Sequence, residues 1–143
     1  MSTCWSLANL RREGPNHYTV LNLGGQGLGD AEAVEVAQLL KGNTTITWVA
    51  LSYNQISDTG AAALGEAFKG NTTITWVALG NNQISDTGAA ALGEAIKVNT
   101  TITYVDLSEN NITRLPAALA QNHTIIEFRY YGNPIDYIPP SVE

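Results

Sequence analysis

A nucleophile, a general base or a metal ligand needs Cys, His or clustered carboxylates at workable spacing, and this chain offers few of them. It holds one cysteine, Cys4, and two histidines, His17 and His123. Their positions match neither a metal-ligand spacing nor a nucleophile–base pair. Cys4 reads as a small hydrophobe in an N-terminal capping segment. His123 stands in a column otherwise filled by Thr44, Thr72 and Thr100, ahead of a strand, and reads as exposed and inert. The run Gly24-Gly25-Gln26-Gly27-Leu28-Gly29 follows a strand and precedes a helix, where a phosphate loop would sit. Its spacing fits neither the dinucleotide glycine pattern nor the P-loop lysine pattern. We expect no enzymatic activity, no metal and no cofactor.

Recognition chemistry is better represented. Val20, Trp48, Trp76, Tyr104 and Glu127 occupy one recurring position. Asn22, Ala50, Ala78, Asp106 and Arg129 form a second column, and Gly25, Tyr53, Asn81, Glu109 and Gly132 a third. If these positions lie on adjacent strands about 4.8 Å apart, neighbouring rings can stack. The small Ala50 and Ala78 should leave Trp48, Trp76, Tyr104 and Tyr53 standing proud, with acid toward the C-terminal side. Exposed Trp and Tyr dominate binding hot spots. The competing reading is that the indoles lie flat to stiffen the sheet, one Trp having been copied into two.

Those columns exist because the chain repeats. Residues 43–70 and 71–98 differ only at Ser52/Gly80, Tyr53/Asn81, Phe68/Ile96 and Gly70/Val98, which marks a tandem duplication. Residues 99–121 and 122–143 keep the first half of the unit and shorten the second, and residues 15–42 are a diverged upstream copy. Val49 and Leu51 alternate with Trp48, Ala50 and Ser52, the period of a strand with one buried face. Asp58-Thr59 suits a helix start, and Ala63, Leu64, Ala67 and Phe68 fall on one helical stripe. Lys69 suits the last turn, and Gly70 suits the position just beyond the helix. A lone strand and helix cannot bury these faces; stacked units can.

The phrase L-x-x-L-x-L-x-x-N-x-L recurs in aliphatic paraphrase at Ile46–Ile56, Ile74–Ile84, Ile102–Ile112 and Ile125–Ile135, with a weaker Tyr18–Leu28. This pattern resembles the leucine-rich repeat family, and the longer units resemble its ribonuclease-inhibitor-like class. Leu115–Leu119 resembles the shorter LPxxL repeats of bacterial effector proteins. The resemblance implies an α/β solenoid, a short horseshoe with a parallel sheet inside and helices outside. The domain is then residues 1–143, with a capping helix in 1–14, repeats at 15–42, 43–70, 71–98 and 99–121, and a partial repeat at 122–143. Asn54, Asn82, Asn110 and Asn133 read as a structural ladder that satisfies backbone groups where each strand turns. Five N-x-[ST] sequons, at Asn43, Asn71, Asn99, Asn111 and Asn122, read as turn formers. Trp5, Leu7, Ala8 and Leu10 suggest an amphipathic cap ended by Gly14-Pro15. Tyr130, Tyr131, Tyr137 and Ile138, with Pro139-Pro140, suit closure of the far end.

Composition narrows the partner. The net charge is −6, from 7 basic against 13 acidic residues, which disfavours duplex nucleic acid and anionic membranes. No apolar run approaches the ~18 residues of a membrane span. Met1 to Arg12 lacks the order of a signal peptide, and one cysteine suits a reducing compartment. We therefore expect a cytoplasmic, non-enzymatic module that binds another protein of basic character on its concave face. Trp48, Trp76, Tyr104 and Tyr53 would be the anchors. Asn81, Asp106, Glu109, Glu127 and Arg129 would be the polar contacts. The family resemblance adds two further expectations: inhibition of a partner enzyme, and the role of an effector delivered to a host cytosol. A carbohydrate- or small-molecule-binding module, or a structural fragment of a larger receptor, are the alternatives.

Overall fold

The computed structural model describes residues 2–140 and 142. Six parallel strands form one sheet in chain order. They are β1 (Thr3–Cys4), β2 (Val20–Asn22), β3 (Trp48–Ala50), β4 (Trp76–Ala78), β5 (Tyr104–Asp106) and β6 (Glu127–Arg129). Between them run the helices α1 (Leu7–Glu13), α2 (Asp30–Leu40), α3 (Asp58–Gly70) and α4 (Asp86–Val98). Strands and crossovers alternate as an α/β solenoid with one parallel sheet, the architecture expected of leucine-rich repeats. Val49, Val77 and Val105 point from the strands into the core, where they meet Leu64, Phe68, Leu92 and Ile96 from the helices. Where the repeat shortens, the last crossover is a 3-10 turn, Ala117–Gln121, instead of an α-helix. A cavity of about 320 Å³ lined by Leu119, Ile125, Phe128, Tyr130 and Val142 lies beside it.

Three columns of short polar side chains tie the repeats together. In the first, Asn82 donates from Nδ2 to the carbonyls of Leu51 and Leu79, both at 3.0 Å, and accepts from Ile56 N–H at 3.0 Å. Asn54, Asn110 and Asn133 repeat this arrangement. A second column serves the helix ends. Asn71 and Asn99 donate to Leu40 O and Phe68 O, carbonyls in the last turn of a neighbouring helix, and accept from Ile74 and Ile102 N–H in the segments that lead into β4 and β5. The third column caps helix starts. The Asp30 carboxylate accepts from Ser57 and Gly60 N–H of the next repeat, and Asp58 accepts from Ser85 and Gly88 N–H. Each group would otherwise face an apolar interior or a helix terminus without a partner. Among the described residues no buried side-chain nitrogen or oxygen lacks one.

Several local expectations change. Asp58 opens α3 as expected, but Ser57 is the capping position and the Asp58 side chain serves the following helix. Gly70 is the last helical residue rather than a left-handed residue beyond it, and Asn71 ends the helix. The N-terminal segment contains β1 as well as α1, because Thr3 and Cys4 pair with Val20 and Leu21. Leu7 and Leu10 are buried beneath the cap, whereas Trp5 and Ala8 are exposed. The sequons at Asn43, Asn71 and Asn99 do form turns, each Oδ1 accepting the N–H two residues on, but these residues are buried in the second column rather than on the surface. At the far end Tyr130 and Ile138 pack on the core, while Tyr131 and Tyr137 remain exposed. No helix among the described residues is long and apolar enough to cross a membrane.

Candidate functional site

The strand register brings the expected columns together. Thr3, Val20, Trp48, Trp76, Tyr104 and Glu127 are successive partners across the sheet. Asn22, Ala50, Ala78, Asp106 and Arg129 form the neighbouring row. Trp48 and Trp76 stack with ring centroids 4.6 Å apart and planes 13° from parallel. Trp76 and Tyr104 stack at 4.8 Å and 4°. Both separations equal the strand spacing, so the sheet itself sets the stack. Arg129 closes its C-terminal end, with the guanidinium 5.5 Å from the Tyr104 ring centre. Glu127 pairs with Arg129 and keeps the guanidinium in place. Burial, and the negative charge of Asp106, push the Tyr104 hydroxyl above its ordinary pKa.

Stacking changes what the surface offers. The central ring gives both faces to its neighbours, and Trp76 and Tyr104 are half-buried. Trp48 keeps 47% exposure and Tyr53 68%. The apolar surface is therefore smaller than four rings standing proud would make it. Mutual stiffening and display to solvent occur in the same column.

Carboxylates lie on the C-terminal side. Asp106 is half-buried and accepts Ser108 N–H at 2.8 Å, while Glu109 and Glu127 are exposed. Gly80 makes room for this corner. A Cβ there would stand 3.0 Å from Ser108 Oγ and 3.5 Å from Asp106 Oδ1. The duplicated repeat has Ser52 in that place.

The third column has a property that side-chain spacing does not show. Gly25, Tyr53, Asn81, Glu109 and Gly132 all adopt left-handed backbone, with φ of 67°, 59°, 56°, 54° and 74°. Gly and Asn tolerate this region, but Tyr and Glu are disfavoured there. Two of the expected contact residues, Tyr53 and Glu109, therefore sit on strained backbone in the turns that follow their strands.

The remaining candidates for chemistry are dispersed. Cys4 is buried and donates its thiol to Ser6 O at 3.2 Å. His17 and His123 are exposed. In the glycine-rich turn, Gln26 N–H and Leu28 N–H are taken by Asn54 Oδ1 at 3.1 and 2.9 Å, so they do not face a ligand. The cross-repeat aspartates Asp30, Asp58 and Asp86 escaped the sequence reading because an Asp at a helix start looks like a cap for its own helix. Their spacing, one per repeat and always ahead of a Ser or Thr one repeat later, was the available signal.

A family model described as Leucine Rich repeat matches residues 42–65, 70–93 and 98–114. No curated protein sequence matches the chain. Among solved structures, the chain is similar to one titled Leiomodin-1 Actin-Binding Site 2 (ABS2). The TM-score is 0.74 at 23% identity, covering 87% of this chain and 76% of that one. At that identity the likeness is one of fold.

Proposed function

From the premise that the chain is a leucine-rich-repeat protein, we propose that it is a protein-interaction module whose partner docks on the solvent side of the sheet. The observation that carries this reading is the stack Trp48–Trp76–Tyr104, held in register by three strands and flanked by Asp106, Glu109 and Glu127. Ordered aromatic rings bind at low entropic cost, since the fold has already immobilised them. Exposed carboxylates around an apolar centre suit a partner with basic character, and they steer its approach. The similar structure carries an actin-binding title, which supports a protein partner at the level of class. Occlusion of a partner enzyme is the finer form of this reading, and a reducing compartment suits the buried single thiol of Cys4.

The test is capture of partners from lysate on the immobilised protein, beside Trp76→Ala and Asp106→Lys. We expect a stoichiometric band from the native chain that both variants reduce, and, for the finer form, loss of the captured partner's own activity. A band that both folded variants retain moves the site to the helices or loops.

A further inference from the structure

The aromatic stack has two unlike ends. At one, Tyr104 is covered by the Arg129 guanidinium, itself fixed by Glu127. At the other, the register partner of Trp48 is Val20, whose side chain is too short to cover an indole. Thr3 follows on β1. Val20 and Thr3 thus form a shelf two strands wide, roughly 10 Å across. Trp48 stands at the edge of this shelf with 47% of its surface open.

We infer that the free face of Trp48 is a seat for an arginine side chain of the partner, with the guanidinium stacked on the indole and the methylenes laid over Val20. The inference rests on the proposed concave-face reading and specifies the chemistry of the partner there. Three observations carry it. The chain already uses a guanidinium to close this same stack at Tyr104. It uses the pairing again where Arg114 lies 4.3 Å from the ring centre of Tyr137. The charge on this side of the sheet steers a cation toward it without touching the seat: Asp106, Glu109 and Glu127 outnumber Arg129, but they lie on or beside β5 and β6, two or more strands from Trp48. A planar guanidinium can lie flat on the ring and still hydrogen-bond outward, which an ammonium cannot do.

The probe is a short blocked Gly-Arg-Gly-Arg-Gly peptide, with its lysine and citrulline counterparts. Indole N–H resonances of the whole chain are followed by NMR during titration. Trp5, exposed and two residues beyond Thr3, borders the shelf, so the Trp48→Val variant serves as the reference. We expect a saturable shift at Trp48, weaker by about threefold or more with the lysine peptide and absent with citrulline. In Trp48→Val, which continues the Val20 surface, affinity for the arginine peptide should fall by about threefold or more. Equal responses to arginine and lysine, or an undiminished arginine affinity in Trp48→Val, overturn the inference. So does a response centred on Tyr104 with Trp48 unmoved, but that result leaves the concave-face reading standing. That reading is judged separately, by partner capture with Trp76→Ala.

Discussion

The carboxylate of Asp58 accepts the backbone N–H of Gly88 at 2.9 Å, although the two residues belong to consecutive repeats. Asp58 is the first residue of α3, and Gly88 is the third of α4. One helix therefore caps the next. The same carboxylate takes Ser85 N–H at 2.8 Å and the Ser85 hydroxyl, and the Ser85 side chain makes no cap to its own helix. Cooperativity between repeats thus has a polar component besides the shared core.

Removing that carboxylate leaves two helix-start N–H groups and the Ser85 hydroxyl without their acceptor. Asp58→Ala is expected to lower stability by about 1–2 kcal/mol, the usual cost of a lost cap. Asp58→Asn keeps an acceptor oxygen and should lose less. Urea unfolding of both variants checks the order, and equal losses would point to charge alone.

The same column sets an acid response. Asp30 is pulled upward by burial, but hydrogen bonds from Ser57 and Gly60 outweigh this and hold it below its ordinary value. Asp86 is lowered by the Thr113 hydroxyl and backbone, against a smaller effect of burial. A carboxylate lowered in the folded state binds protons more weakly there than in the unfolded chain. Its stabilisation is complete above the unfolded value, about pH 4, and is lost as pH falls through the folded value. The urea midpoint should hold from neutral pH to about pH 5 and then drop. Asp86→Asn should show a shallower drop, and an unchanged slope would contradict the account.

Glycines inside the helices separate packing from propensity. Glycine to alanine in a helix ordinarily stabilises by about 1 kcal/mol. At Gly88 a Cβ would sit 2.6 Å from Asp58 Oδ1 and 2.9 Å from Ile84 Cγ2, so Gly88→Ala should destabilise despite its better propensity. At Gly70 a Cβ meets nothing within 4 Å, and Gly70→Ala should raise the melting temperature. Shifts of the same sign in the two variants would show that close approach does not govern these positions.

Where these features were legible in the sequence follows from how local their causes are. Repeat period, strand alternation and helical stripe are written in apolar spacing, so the solenoid and the row Trp48–Trp76–Tyr104 could be read directly. The Asn54, Asn82 and Asn110 column could be read because each residue follows its own strand. Asn71 and Asn99 were hidden because a sequon and a buried helix-end clasp use the same letters. Asp30 and Asp58 were hidden because their donors lie one repeat away. The covering of Tyr104 by Arg129 depends on a side-chain torsion that spacing does not encode. The left-handed backbone at Tyr53 and Glu109 was missed because neither residue type advertises it, although Gly25, Asn81 and Gly132 in the same column do.

Tyr53 is where stability and binding should part. Its φ of 59° is costly for a tyrosine, and its ring is 68% exposed, so it gains little from the core. The duplicated repeat has Asn81 at the same place with φ 56°, a residue that tolerates this conformation far better. Tyr53→Asn should therefore raise stability, by about 0.5–1 kcal/mol, since it relieves strain and gives up little buried surface. If the ring is a contact on the concave face, the same change should weaken capture of the partner by about tenfold, an ordinary loss for an interfacial tyrosine. Thermal melts and binding measured on one preparation give both numbers. A stabilised variant with undiminished binding would remove Tyr53 from the interface, and a destabilised one would mean that the ring packs on the fold after all.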